Sequence, residues 1–435
     1  MAISPRPIKR LLISNRGEIA VRIIRSAREM GISTVAIYSD IDATCAHRYH
    51  ADFAIRLTGN TITDTYLNGD QIISLAVASN CDAIHPGYGF LSENSNFAAA
   101  VVEAGLIYVG PTANAMRKLG NKLAAKRLLA KHGIPVVAGS LQPLTSHRAI
   151  NTANYPILLK AALGGGGKGM RVVNSAAALP DAFASCQRQA KNYFADDTML
   201  WEQFIPDPYH VEVQILADHY GNTVHLYERD CTIQRRFQKL LEEAPSPHLN
   251  AKTRDAICAC AVKIAEIVGY TCAGTVEFIC PDAENFYFME VNTRIQVEHP
   301  VSEMITGFDL IKEQLRIASG EKLSCPQQAA IKSSGHAIEL RINCEDPQAN
   351  FAPSPARIKS LQLPYGAFTR VDSHIYQGYQ VPAAYDSLLA KLICWGQTRT
   401  EAIARLLRAL AELRIGGVKT TAPFFYYLLH QQDFR

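Results

Sequence analysis

The sequence lacks the roughly 18 to 20 consecutive apolar residues that a membrane-spanning helix needs, so no helical span is expected. It also lacks a signal-peptide pattern. The apolar residues 11–13 near the amino terminus are interrupted at once by Asn15, Arg16 and Glu18. Charge of one sign is equally scarce: 44 Lys and Arg against 40 Asp and Glu leave a net +4 over 435 residues. That balance argues against a nucleic-acid coat or a polybasic membrane anchor, while leaving room for a local basic pocket. Eleven cysteines are present, but none is spaced C-x-x-C, and Cys258 and Cys260 are the nearest pair. Reduced core thiols of a cytoplasmic protein are therefore expected, ahead of disulfides or zinc. No internal repeat or low-complexity segment interrupts the chain. At about 150 residues per domain, the length suggests two to four domains.

What is there begins as an alternation of strand and helix. Residues 10–14, 34–38, 82–85 and 106–110 read as strands. Residues 17–30, 71–79 and 98–104 read as helices, with Ile19, Ile23, Ala27 and Met30 on one face of the first. This order predicts a parallel, doubly wound sheet. The first strand-to-helix turn, "SNRGEIA", holds one glycine, so the G-x-G-x-x-G dinucleotide fingerprint is missing. The loop "HPGYGFLSEN", residues 85–94, is expected at a strand end, either as a tight turn or facing a ligand at the sheet's carboxyl edge.

A helix at 121–132 is followed by three hairpins. The first, 155–173, turns through "LGGGGKGM". Gly164, Gly166 and Gly169 match the bare dinucleotide pattern, but the loop returns into a strand and also fails the P-loop pattern. Gly165, Gly166 and Gly167 beside Lys168 and Lys160 instead suit a hinged phosphate lid. The second hairpin joins 210–217 to 223–228, and the polar stretch "YERDCTIQRRFQKLLEEAPSP" follows as a solvated loop or part of a site.

In the third hairpin Glu277 and Glu290 lie inside apolar strands, where a carboxylate is costly unless paired or metal-bound. Cross-strand neighbours are about 5 Å apart, a separation at which two acids can share cations. With Asn292 they form an all-oxygen set suited to Mg²⁺ or Mn²⁺. If the chain stays extended, Glu290, Asn292, Arg294, Gln296 and Glu298 share one face, following Phe286 and Phe288 of the same parity. From about Ser333 a separate, mostly antiparallel unit with a late helix at 400–413 is expected.

Together "SNRGEIA", "HPGYGFLSEN", "GGGGKGM", "ERDCTIQRRFQK", "EEAPSP", "MEVNTRIQVEHPVSEMITG" and "RINCEDP" resemble the biotin carboxylases. These are the ATP-grasp subunits or domains of biotin-dependent carboxylases, and the resemblance is to the acetyl-CoA carboxylase type of fatty acid biosynthesis. It runs from about Ile8 to the late helix. It implies an α/β and α+β architecture in three parts: a Rossmann-like pre-ATP-grasp domain (1–115), an ATP-grasp fold with a mobile lid at about 133–204 (116–330), and a mainly antiparallel C-terminal domain (331–435).

The activity implied is a ligase reaction. Bicarbonate attacks the γ-phosphate of ATP to give carboxyphosphate, which breaks down to CO₂ and phosphate. The phosphate then takes the proton from biotin's ureido nitrogen. Lys122, Lys160, Gly165, Gly166, Gly167, Glu202, His210 and Gln234 are implied at ATP, and Glu277, Glu290 and Asn292 at Mg²⁺ or Mn²⁺, two ions in all. Lys239, Arg294, Gln296 and the Val297 backbone are implied at bicarbonate, with Glu298 as general base. Arg341 would face the biotin enolate and Tyr88 would lie near biotin. Arg22, Arg25, Glu29 and Arg370 match positions of a two-fold dimer interface, although Arg25 and Glu29 are also spaced for an intrahelical ion pair.

No Met-Lys-Met biotinylation tripeptide is present, so biotin is expected on a carrier protein or domain, with a carboxyltransferase as further partner. Acetyl-CoA, propionyl-CoA, pyruvate and urea carboxylases share this half-reaction, which leaves the final acceptor open. Three departures stand out. Gln203 replaces an expected lysine, Phe237 replaces the histidine of "QRRHQK", and the chain ends at Arg435 where free-standing relatives continue into a short tail. That ending is expected either of a piece of a longer polypeptide or of a site closed differently. A different ATP-grasp ligase, or a non-catalytic ATP-binding regulator or scaffold, are the alternative readings.

Overall fold

The computed structural model describes residues 5–150, 154–162, 169–194 and 196–434. The glycine lid at 163–168, with Gly165, Gly166, Gly167 and Lys168, lies outside the described residues. Five strands, β1 (Arg10–Ile13), β2 (Ser33–Tyr38), β3 (Phe53–Arg56), β4 (Ala83–His85) and β5 (Ile107–Tyr108), form a parallel sheet in the order β3-β2-β1-β4-β5. The order reverses between β1 and β4, and ligands of such sheets bind at the carboxyl ends of strands at this point. "SNRGEIA" and "HPGYGFLSEN" leave β1 and β4 there. The Asn15 side-chain amide donates to the Pro86 and Tyr88 carbonyls, both at 2.7 Å, and so ties the two loops together. Gly87 has φ +63°, and a Cβ there would meet the Asn15 amide at 3.0 Å. Glycine is therefore required at that contact.

Three strands, β6 (Ile157–Ala161), β7 (Met170–Val173) and β8 (Met199–Gln203), make a small antiparallel sheet in the order β7-β6-β8. Next come β9 (Tyr209–Ala217), β10 (Thr223–Arg235), β11 (Gln238–Ala244), β12 (Cys272–Cys280), β13 (Tyr287–Asn292) and β14 (His336–Asn343). Two short pairings follow, β15 (Glu345–Asp346) with β16 (Ala352–Pro353), and β17 (Ser360–Gln362) with β20 (Arg414–Gly416). Strands β18 (Thr369–Ser373) and β19 (Leu388–Gly396) complete an eight-stranded sheet, β13-β12-β9-β10-β11-β14-β19-β18.

That sheet runs unbroken through the pairing of β11 with β14 (Leu241 opposite Leu340, Glu242 opposite Glu339). The segment expected as a separate unit therefore supplies three strands to the sheet that carries the site. The polar stretch after residue 228 is also a hairpin rather than a loop, because β10 continues to Arg235 and turns at Arg236 and Phe237 into β11. Both turn residues have positive φ (50° and 63°), as tight hairpin turns demand.

Alternation along β9 and β12 divides the sheet into two faces. Val211, Val213, Val276 and Phe278 pack on Ile257, Ala261, Ile264 and Val268 of the Ala251–Val268 helix. Asn250 caps that helix through the Thr253 amide, and Gly269, at φ +65°, ends it. The opposite face is left to Glu212, Gln214, Thr275 and Glu277. These are buried as well, and so need polar partners.

Candidate active site

Glu277 and Glu290 are direct cross-strand partners, as expected, and Glu212 lies opposite Glu277 on the other side. A bulge separates the pairs Glu277–Glu290 and Phe278–Phe288. Two residues of β13 there oppose one of β12, which turns Phe288 into the core and Glu290 to the polar face. The expected run of one parity from Phe288 to Glu290 is thus broken by this bulge. The chain also leaves the sheet after Asn292. Residues 293–298 form an irregular turn, and Glu298 stands just before the His299–Thr306 helix. The five polar residues converge through this turn and not along an extended strand.

At the centre Lys239 Nζ donates to Glu277 Oε1 and Glu298 Oε1, both at 2.8 Å, and to Glu212 Oε2 at 2.5 Å. Arg341 donates to Glu298 Oε2 at 3.0 Å and to Glu242 Oε1 at 2.7 Å. Glu298 is 1% exposed. Burial pushes its carboxyl up, but the Lys239 and Arg341 charges outweigh it and hold the group well below the usual carboxylate range. Glu277 is held low in the same way by Lys239 and His210. Glu242 is different: burial wins over Arg341 and pushes it up to about 7.

The Glu277 carboxylate also accepts from the side-chain amides of Asn292 (2.7 Å) and Gln296 (3.1 Å). Arg294 donates to Gln296 at 2.8 Å and to Asn292 at 3.2 Å, and lies 3.6 Å from Glu93. His210 Nε2 lies 3.1 Å from Glu277, and Gln234 meets His210 Nδ1 at 2.9 Å. Lys122 opens the Lys122–Lys131 helix and pairs with Glu290 at 2.6 Å. Lys160 on β6 and Lys126 share Glu202 of β8, at 2.5 and 3.0 Å. The Tyr88 hydroxyl is engaged by Glu18.

The site is larger than the sequence reading. Glu212, Arg229, Glu242, Glu339 and Lys391 are all fully buried in or beside it. Arg229 is held by Glu212 (2.6 Å), Gln214 (2.7 Å), Ser302 (3.0 Å) and Thr275 (3.1 Å). The missed signal was the one that exposed Glu277: "HVEVQ" places His210, Glu212 and Gln214 at every second position of an apolar strand.

The positions expected at a dimer interface make contacts within the chain. Arg22 and Arg370 both bind Glu303, at 2.9 and 2.6 Å, while Glu29 pairs with Lys312 at 2.6 Å and not with Arg25. Gln203 donates to the Pro156 carbonyl at 2.9 Å, and Phe237 is exposed at its hairpin tip.

A divalent cation fits the oxygen donors. Glu277 and Glu290 face each other across two strands beside the Asn292 carboxamide, a hard set of the kind Mg²⁺ takes. Among the described residues, potential ligand atoms also lie within 4.8 Å of one another in His210, Glu212 and Glu277, and in Glu212, Cys231 and Glu298.

A large antiparallel sheet bearing buried carboxylates and a lysine, with a small sheet that carries Lys160 and Glu202, is the layout of an ATP-grasp enzyme. The chain matches "Carbamoyl-phosphate synthase L chain, ATP binding domain" over residues 121–325, "Biotin carboxylase, N-terminal domain" over 7–116 and "Biotin carboxylase C-terminal domain" over 339–435. It is 50% identical to biotin carboxylase 1 of Bacillus subtilis, across 98% of this chain and 96% of that protein. A Campylobacter jejuni biotin carboxylase in complex with β,γ-ATP superposes with a TM-score of 0.95 at 43% identity, covering 98% of this chain and 96% of that one. The biotin carboxylase domain dimer of Hydrogenobacter thermophilus 2-oxoglutarate carboxylase, with MgADP, ADP and bicarbonate, also gives 0.95, at 44% identity over 99% and 95%. The chain belongs to the biotin carboxylase family. It is a ligase that carboxylates biotin with bicarbonate at the expense of ATP.

Proposed function

We propose that Glu298 is the general base of this reaction. The observation that carries the reading is its buried carboxylate, held between Lys239 and Arg341. In the resting site these cations make Glu298 a weak base. An incoming bicarbonate anion competes for their N–H donors, loosens their hold on Glu298, and so raises its basicity as the substrate arrives. Lys239, Arg294, Gln296 and the Val297 backbone then orient bicarbonate for attack on the γ-phosphate. Positioned cations stabilise the charge that develops. Glu277 and Glu290, with Asn292, hold the metal. When bound, it neutralises phosphate charge and orients the transferred group.

Lys122, Lys160, Glu202, His210 and Gln234, with Gly165, Gly166 and Gly167 of the lid, take the nucleotide. Arg341 steadies the biotin enolate after the released phosphate removes the ureido proton, and Tyr88 shapes that end of the site. The functional segments are 1–115, 116–330 with a lid at about 133–204, and 331–435. The partners are a biotin carboxyl carrier protein or domain, a carboxyltransferase and a second copy of this chain. The dimer of the 2-oxoglutarate carboxylase domain supports the last. A cytoplasmic location fits a chain in which, among the described residues, no helix is long and apolar enough to cross a membrane.

The test is phosphate release from Mg-ATP, with and without bicarbonate and free biotin. Bicarbonate-dependent, biotin-stimulated turnover is the expected result. ATP binding without turnover would replace this reading with that of a regulator or scaffold.

A further inference from the structure

We propose that Lys391 is a positioning residue for the bicarbonate end of the site, fixing the backbone that carries Gln296, Val297 and Glu298. The proposal rests on the reading that this turn meets bicarbonate. Lys391 lies on β19 and is 0% exposed, and its ammonium donates to the Val297 carbonyl at 2.7 Å. A lysine hidden from water needs strong partners. Its nearest acids are more distant, Glu18 at 3.4 Å and Asp372 at 3.9 Å, so its shortest contact goes to the turn. Lys239 and Arg341 grip the Glu298 side chain. Lys391 grips the backbone beneath it.

The turn is also closed on itself, because His299 Nδ1 meets the Gln296 carbonyl at 2.7 Å. Burial keeps the His299 imidazole neutral, and Nδ1–H is then the donor. Lys391 adds a restraint from another strand. It also connects the turn to Glu18, which accepts from the Tyr88 hydroxyl and whose Oε2 has no partner. The first helix, β19 and the catalytic turn thus meet at one ammonium group, and the Tyr88 loop joins them through Glu18.

A displacement of about 1 Å in a positioned group can cost on the order of 10²-fold in rate. Lys391→Met in the full chain is therefore expected to lower kcat by about that factor and to raise KM for bicarbonate, with KM for ATP little changed. Because this change strands the Glu18 carboxyl, Glu18→Gln/Lys391→Met is measured beside it. The double variant removes the unpaired charge and keeps an acceptor for Tyr88. Expected is a Tm recovered towards the parent value with KM for bicarbonate still raised. A folded double variant with the parent kcat and KM for bicarbonate overturns the proposal. Glu298→Gln is assayed in parallel. If it retains turnover, the reading of the turn itself fails. If it loses turnover while both Lys391 variants keep theirs, only the positioning role of Lys391 fails.

Discussion

On the side of the site formed by β6, β8 and the Lys122–Lys131 helix, Lys122, Lys126 and Lys160 each meet one acid, and Lys122 and its partner Glu290 are about 30% exposed. On the floor of the large sheet, Lys239 meets three acids, Arg341 two, and the arginine Arg229 is sealed from water with four partners. A cation with one partner can exchange it for a phosphate oxygen at little cost. A buried cation with several is fixed in place before substrate arrives, as electrostatic stabilisation of developing charge requires. The site thus divides into a side whose cations can give up their one acid to substrate and a floor whose cations stay in place, so that bicarbonate can take a share of their donors while the other acids still hold them.

The widest effect should come from the floor. Glu298→Gln should lose on the order of 10²–10⁴ in bicarbonate-dependent turnover, the usual worth of a general base. Unchanged turnover would remove that role. Lys239→Met removes the one cation that three buried carboxylates share, leaving Glu212 to Arg229, Glu298 to Arg341 and Glu277 to His210, and should cost about 3–5 kcal/mol of stability, read as a fall in Tm. Lys160→Met should instead raise KM for ATP by roughly tenfold, the loss of one charged hydrogen bond, with a much smaller change in Tm, since Glu202 keeps Lys126. Equal falls in Tm for the two would break the comparison.

At the boundary of the two sides, Glu290→Gln should move the Mg²⁺ titration of activity to about tenfold higher concentration, and an unmoved titration would count against Glu290 as a ligand. The smallest effect concerns Glu242. Its carboxyl is raised from 4.5 to about 7, so the folded state holds a proton that the unfolded chain has released. Its contribution favours folding below pH 4.5 and is lost as pH rises through about 7. Glu242→Gln should therefore flatten the decline of Tm across that window. A slope identical to the parent's would refute the assignment.

Much of this was legible in the sequence where the signal was local. The alternation of β1, β2, β4 and β5 with their helices, the helix faces and the Glu277–Glu290 pair follow from periodicity and from the cost of burying a carboxylate. The short, largely exposed edge strand β3 (Phe53–Arg56) is missing from that reading. What escaped depended on register or on distant strands. One bulged residue between Phe288 and Glu290 reverses a face, and no pattern of parity announces it. Lys391 lies 94 residues from the carbonyl it holds, and in "LLAKLICWG" it reads as a lone lysine in an apolar strand. Arg22 and Arg370, 348 residues apart, both meet Glu303, a contact that only the fold creates.

The pairing of β11 with β14 has a consequence for how the molecule can be divided. A fragment ending near residue 330 would leave β11 as an open edge, with Leu240 and Leu241 stripped of their cover, and would invite intermolecular strand addition. It would also lose Arg341 and Lys391. Chimeras between carboxylases that cut the chain there would sever a hydrogen-bonded seam. The two segments should melt in one calorimetric transition and be inherited, or engineered, as a single piece.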